Sequence, residues 1–292
     1  MTDILRNITV LGAGTMGRGI AQVAAAGGFS TRLLDVDPQT LERASANIQA
    51  NLDKGVRLGK IEPEAAKNTL ARLDLVQDIP SAVGEAGLVI EAVPESMELK
   101  TGIFSQVAEH APENAIFASN TSGLSITEMA TASGRPERFA GMHFFNPVHL
   151  MRLVELIKGL ETSEETVTTL RAVAEQMGKV VVAVNESPGF VTSRINALIG
   201  NEAFRMLEEG VASPQDIDTA LKLGLNHPMG PFEMVDLVGL DVRLAILEYL
   251  HQTLGDLYRP NNLLARYVKA GRLGRKVGRG VYEYDADGKT LD

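Results

Sequence analysis

The chain has 292 residues, 45% apolar and 22% charged, enough for two globular domains of ordinary size. Its 28 basic and 37 acidic side chains leave a net charge of −9, which sets up no positive field for a polyanion and argues against a nucleic-acid partner. It has no cysteine, which excludes disulfides, a thiolate nucleophile and cysteine metal sites.

The first strand is expected at Ile8–Leu11, too early to leave room for a cleavable signal peptide. No uncharged apolar stretch reaches membrane-spanning length, so a cytoplasmic location without a membrane partner is expected. The run Gly12-Ala13-Gly14-Thr15-Met16-Gly17 follows directly, and a helix-like stretch opens at Arg18. Strand, glycine turn and helix form the arrangement that binds a dinucleotide. Gly12 allows the tight turn, Gly14 lets backbone approach a pyrophosphate, and Gly17 lets helix pack on strand. The helix start, with Thr15 and Met16, presents N–H groups and a partial positive charge to phosphate. Alone, such a run also fits an ordinary tightly packed helix start. The next strand, Thr31–Asp35, ends on a carboxylate about 20 residues further on, where an adenosine ribose offers its hydroxyls. Asp35 would accept those bonds and repel a 2′-phosphate, which favours NAD over NADP. Asp37 is the better cap for a helix starting at Pro38, leaving Asp35 for the ligand.

From Pro38 to Leu73 the spacing departs from a compact strand–helix alternation. Leu41, Ala44, Ile48 and Leu52 share one helical face. The helix-like segment continues through Lys54, Arg57 and Lys60 and restarts at Glu62-Pro63, an inserted helical pair. Lys54 and Arg57 suit a phosphate of a large anionic substrate, although a solvated basic face is the plainer reading. Further strands are expected at Leu73–Val76, Leu88–Val93, Ala115–Ala118, Phe139–Met142, Leu153–Ile157 and Val180–Val184. Several are continuous apolar runs, as in strands buried on both faces. A helix over Val167, Leu170, Ala174 and Met177 is expected between Ser163 as N-cap and Gly178 as stop. The alternation predicts an α/β fold with a Rossmann-type, doubly wound, mostly parallel sheet.

The pattern changes at Asn185-Glu186-Ser187-Pro188-Gly189. Helices are expected over Phe190–Leu207, after Ser213-Pro214, and over Val242–Leu254 with Asp241 as cap; only the tail Gly280–Tyr284 reads as strand. Residues 1–186 are therefore expected to form the dinucleotide-binding domain and residues 187–292 an all-helical domain.

Oxidising an alcohol needs a base for the hydroxyl proton, and histidine suits it near neutral pH. His110 and His251 fall in helix-like stretches, and His227 precedes a proline in a loop. His143 follows the strand Phe139–Met142, and ligands sit beyond the carboxyl ends of such strands. His149, in the turn after Asn146-Pro147, is its competitor. Glu155 interrupts the apolar run Leu153–Ile157, and a carboxylate in a buried strand is costly without a partner. His143 is that partner if the two strands are neighbours; otherwise Glu155 faces water from an edge strand. Asn120-Thr121-Ser122, also beyond a strand end, offers hydroxyls that suit either a substrate oxygen or a helix cap.

Together, Gly12–Gly17, Ser119-Asn120-Thr121-Ser122, His143-Phe144-Phe145-Asn146-Pro147, Leu153-Val154-Glu155, Pro188-Gly189-Phe190, His227-Pro228-Met229-Gly230-Pro231 and Gly274–Gly280 resemble the L-3-hydroxyacyl-CoA dehydrogenase family, most of all its short 3-hydroxybutyryl-CoA members. The resemblance runs nearly end to end. It implies that His143 is the general base and Glu155 its orienting partner. It implies that Ser122 touches substrate oxygen and nicotinamide, with Asn146 at the same site. Glu95, Lys100 and Lys276 match positions that contact NAD. The substrate implied is a 3-hydroxyacyl-CoA, with Lys54 and Arg57 of the inserted pair near its nucleotide end, and dimers are implied through the helical domain. Two departures stand out. Ser193 replaces the family's active-site asparagine before Arg194, and His149 replaces a proline. The expected reaction is NAD-dependent oxidation of an L-3-hydroxyacyl-CoA to the 3-ketoacyl-CoA, and its reverse. The alternatives are a dehydrogenase of a non-thioester hydroxy acid, of the carnitine or gulonate type, and a cofactor-binding or lens-type protein without turnover.

Overall fold

The computed structural model describes residues 3–291, which form two compact units divided after Glu186. The first holds strands β1 (Asn7–Leu11), β2 (Ser30–Leu34), β3 (Leu73–Val76), β4 (Leu88–Glu91), β5 (Ile116–Ser119), β6 (Phe139–Phe144), β7 (Leu153–Lys158) and β8 (Val180–Asn185). Its helices are α1 (Thr15–Ala26), α2 (Pro38–Arg57), α3 (Pro63–Ala71), α4 (Ile79–Val83), α5 (Met97–His110), α6 (Ile126–Ala132) and α7 (Glu164–Gln176). The sheet order is β3-β2-β1-β4-β5-β6-β7-β8. Every neighbouring pair is parallel except β6 with β7. Strand order reverses between β1 and β4, which opens a crevice at their carboxyl ends.

Central strands β4, β5 and β6 are wholly buried, as their unbroken apolar runs require. The valine-rich β8 differs: it is an edge strand, with Val180 and Val182 exposed, because no further strand pairs with it. The inserted pair is α2 and α3, and Leu41, Ala44, Ile48 and Leu52 face inward as their spacing predicts. Lys60 lies past the end of α2, in the turn before α3.

The second unit contains α8 (Thr192–Glu208), α9 (Pro214–Gly224), α10 (Pro231–Val238), α11 (Leu240–Leu254) and α12 (Asn262–Lys269). A short antiparallel ribbon, β9 (Glu283–Tyr284) with β10 (Thr290–Leu291), is added to the helices. Phe204, Phe232, Leu247 and Leu264 lie in its core. Asp241 does not cap α11: Gly239, at φ +106°, occupies that place, and Asp241 sits in the first turn with its carboxylate on Lys276. Gly239 fits there because the positive φ strains any residue with a Cβ.

Arg243 of α11 is the anomaly of this core. It is 2% exposed, and its buried Nε has no hydrogen-bond partner among the described residues. Burial pushes its pKa down to about 10, so it remains a cation at neutral pH. A buried charge without a partner costs several kcal/mol. Arg243→Met is expected to raise the thermal midpoint, by an amount equivalent to roughly 1–3 kcal/mol. A lowered midpoint in calorimetry would show that the guanidinium stabilises the fold.

Candidate active site

The glycine turn leaves β1 with Gly12 N–H donating to Leu34 O at 2.8 Å. Gly12 has φ +91°, and a Cβ there would lie 2.9 Å from Ala92 O. A Cβ on Gly17 would meet Gly12 O at 1.7 Å, so α1 can pack this closely only with glycine. Around Gly14 the opposite holds: a Cβ would find nothing within 4 Å. Gly14 caps α1 without any side-chain bond, and the first intrahelical bond is Arg18 N–H to Gly14 O at 3.0 Å. The N–H groups of Thr15, Met16 and Gly17 therefore have no intrahelical acceptor. Open space beside unpaired donors at a positive helix end fits a dinucleotide pyrophosphate.

Asp35 lies just past β2, half-buried, and is more engaged than its sequence position implies. Its Oδ2 accepts from Ala13 N–H at 2.9 Å and its Oδ1 from Asp37 N–H at 3.1 Å. The carboxylate thus ties the glycine turn to the second strand, and each oxygen keeps a further lone pair for a ribose hydroxyl. Asp37 caps α2; bonds from the Thr40 hydroxyl and Gln39 N–H pull its pKa below the usual carboxylate range. Beside Asp35, the apolar side chain of Val36 is 83% exposed.

His143 lies within β6 rather than after it, because β6 continues to Phe144. Antiparallel pairing puts it opposite Glu155 of β7. His143 Nδ1 stands 2.8 Å from Glu155 Oε2, and Glu155 is 1% exposed. With the proton placed on Nδ1, facing the carboxylate, Nε2 is the basic nitrogen. The Phe145 ring covers the imidazole at a centroid distance of 4.5 Å. Asn120 Oδ1 accepts from Phe144 N–H at 2.9 Å, which joins the loop after β5 to the strand bearing the histidine.

That loop carries Ser122, which is exposed. Glu95 Oε1 accepts from Ser122 N–H at 3.0 Å and Ser122 Oγ at 3.3 Å. Lys100 is 1% exposed; its ammonium lies 2.6 Å from Glu91 and 3.2 Å from Glu95, so its position is set by two carboxylates. The Asn146–Pro147 peptide is cis, with Asn146 exposed beyond His143. Lys179, 7% exposed, donates to the carbonyls of Val148 and Met151 and so holds the turn that follows. His149 on this turn has its pKa pushed down by partial burial and by the charges of Lys179 and Lys54. Lys54 therefore lies near the histidine turn, whereas Arg57 lines a cavity of about 470 Å³ between α2 and α3. Ser193 and Lys276 belong to the second unit: Ser193 in the first turn of α8, Lys276 with its ammonium 2.6 Å from both oxygens of Asp241.

Sequence reasoning passed over Glu91 and Lys179. The signal for each was a charged residue beside an apolar strand, the same signal that singled out Glu155. A cavity of about 760 Å³, lined by Arg6, Asn7, Ser30, Arg72 and Thr169 among others, lies at the amino ends of β1 and β2, away from these groups. Strand-end logic puts the reacting crevice at the carboxyl ends instead.

Two family models match the chain: the NAD binding domain of 3-hydroxyacyl-CoA dehydrogenase over residues 7–187, and the C-terminal domain of the same enzyme over residues 189–284. A probable 3-hydroxybutyryl-CoA dehydrogenase of Bacillus subtilis is 48% identical, covering 96% of this chain and 98% of the relative. A 3-hydroxyadipyl-CoA dehydrogenase of Escherichia coli is 42% identical over 98% of this chain and 61% of its own length. The crystal structure of an (S)-3-hydroxybutyryl-CoA dehydrogenase from Ralstonia eutropha superposes with a TM-score of 0.93 at 43% identity, covering 96% of this chain and 99% of the other.

The two glycines make separable predictions. Gly14→Ala should fold with a near-unchanged melting temperature, yet bind NADH about tenfold or more weakly in a fluorescence titration, because its methyl group enters the phosphate position. Gly17→Ala should lose both stability and binding. Equal NADH affinity for Gly14→Ala and the parent would remove the pyrophosphate from this turn.

Proposed function

We propose that this chain, which belongs to the 3-hydroxyacyl-CoA dehydrogenase family, oxidises a short L-3-hydroxyacyl-CoA, such as 3-hydroxybutyryl-CoA, to the 3-ketoacyl-CoA with NAD, and runs the reverse. The observation that carries the reaction is the buried 2.8 Å contact between His143 and Glu155 at the carboxyl end of the sheet. Bound NAD supplies the hydride acceptor. His143 Nε2 takes the hydroxyl proton, and Glu155 stabilises the imidazolium through Nδ1–H. In the reverse direction the imidazolium protonates the ketone oxygen. Gly12, Gly14, Thr15, Met16 and Gly17 hold the pyrophosphate, and Asp35 the adenosine ribose. Glu95, Lys100 and Ser122 serve the nicotinamide end together with Asn146 and, from the helical unit, Lys276. Ser122 and Asn146 also face the substrate oxygen. Ser193 takes the place of the family asparagine on the substrate side. Lys54 and Arg57 serve the phosphates of coenzyme A; the proximity of Lys54 to His149 supports this for Lys54.

A thioester of coenzyme A is the preferred substrate class. The separate reading, a non-thioester hydroxy acid, draws on a solved diketoreductase that is 32% identical with a TM-score of 0.84. The partner expected is a second copy of this chain. The helical unit exposes Ile195 (53%) on α8, Leu237 (50%) on α10 and Val242 (43%) on α11, apolar side chains that a second copy would cover. No helix among the described residues is long and apolar enough to cross a membrane.

NADH oxidation with acetoacetyl-CoA tests the assignment directly. His143→Gln should lower kcat by about 10³-fold or more with NADH affinity kept. Turnover of a free keto acid without turnover of the thioester would sink the coenzyme A assignment, and an unchanged kcat would remove the base role from His143. Paired charges at the apolar surface, Ile195→Glu with Val242→Glu, should convert a dimer to a monomer in light scattering; a parent that is already monomeric would end the dimer reading.

A further inference from the structure

Glu91 and Ser119 end two central strands and are direct register partners there. Each is 0% exposed. Glu91 Oε2 accepts from Ser119 Oγ at 2.6 Å. Its Oε1 accepts from Val93 N–H at 2.7 Å and from Lys100 Nζ at 2.6 Å. Lys100 continues to Glu95 Oε2 at 3.2 Å. The other oxygen of Glu95 accepts from Thr121 Oγ1 at 2.6 Å and from Ser122 N–H and Oγ. An unbroken chain of polar contacts thus runs from the buried strand ends to the exposed Ser122 hydroxyl.

We propose that Glu91 is a positioning residue for the reaction, acting through Lys100 and Glu95 on the hydroxyl of Ser122. The proposal rests on the reading of Ser122 as a group facing nicotinamide and substrate. Burying a carboxylate and an ammonium is no better for stability than burying an apolar pair, so stability alone does not call for Glu91. Its effect lies in how the charges divide. Two carboxylates compete for one ammonium. Glu91 holds it at the shorter distance, and Glu95 is left with Oε1 turned to Thr121 and Ser122. Without the Glu91 charge, Lys100 draws Glu95 inward and its hold on Ser122 is lost. While that hold lasts, the Ser122 hydroxyl donates its one proton to Glu95. It then presents lone pairs to a ligand and so selects an N–H or O–H donor, such as a carboxamide or an alcohol.

The test is a double-mutant cycle of Glu91→Gln and Ser122→Ala, reading kcat, KM for acetoacetyl-CoA, and NADH affinity by fluorescence without turnover. Glu91→Gln keeps the shape and removes the charge. It is expected to lower kcat about 10- to 100-fold, weaken NADH binding several-fold and leave KM for the acyl-CoA within about threefold. In the Ser122→Ala background the same change should cost less than about threefold in kcat. Additive losses across the cycle would overturn the proposal, as would an unchanged kcat and NADH affinity in Glu91→Gln. A purely structural role would lower the melting temperature and leave the kinetics of the folded fraction as in the parent. Should Glu91→Gln fail to fold, Ser119→Ala keeps the charge and removes one bond to it. A kcat loss of about threefold that vanishes in the Ser122→Ala background is then expected, and an additive loss overturns the idea. If Ser122→Ala alone has the parent's kcat, the reading of Ser122 fails; a continuing effect of Glu91→Gln then shows that Glu91 acts by another route.

Discussion

The bond between His143 and Glu155 exists because two strands run antiparallel in a sheet that is otherwise parallel. In an antiparallel pair, opposed residues point to the same face, and the pair His143↔Glu155 is such an opposition. Slipping the register by one residue would turn every side chain of one strand to the other face and part the base from its carboxylate. The strand β8 then matters beyond its own weak burial. By pairing with β7 it makes β7 an interior strand, so Glu155 is shielded from water and its charge acts in a low-dielectric setting. The edge position, with its exposed valines, falls to β8 instead.

Much of this was legible in the chain. The glycine turn, the acidic residue after the second strand, and the carboxylate inside an apolar run each carry a physical cost that only a ligand or partner offsets. The strand positions were legible too, since buried parallel strands read as apolar runs. The ends of those strands were less so. His143 reads as a residue beyond a strand because a polar side chain ends the apolar run, yet the backbone ladder continues beneath it to Phe144. Val180–Val184 reads as a strand because valine favours strands whether or not the second face is covered, and the strand observed runs to Asn185. Asp241 reads as a cap because aspartate favours that position, but a glycine at positive φ takes it and the aspartate binds Lys276.

What sequence reasoning could not supply was burial. Glu91 and Lys100 are nine residues apart, and nothing in their spacing marks them as a pair. In the fold they are paired out of water. Lys179 likewise reads as a polar residue before a strand, whereas its ammonium binds two carbonyls beneath the turn after His143. Such groups share a position: they sit just beneath the carboxyl edge of the sheet. Loops there carry exposed functional side chains but lack packing of their own. Buried charges supply directional bonds that apolar packing cannot, and they fix loop backbone at named atoms. Lys100 fixes Glu95, and Lys179 fixes the turn through Met151.

Both the strand pair that joins His143 to Glu155 and the glycine turn after β1 belong to the first compact unit. The contact of His143 with Glu155 and the tie of Asp35 to the glycine turn are made by residues of that unit alone. Nothing in them senses the length of an acyl chain, because the reacting carbon and its oxygen are common to all such substrates. The departure at Ser193 falls in the other unit. An amide offers two N–H donors and an acceptor, while a serine hydroxyl offers one donor on a shorter stem. Ser193 lies outside the strand pair that joins His143 to Glu155. A substitution at this position therefore leaves the contact between His143 and Glu155 itself untouched.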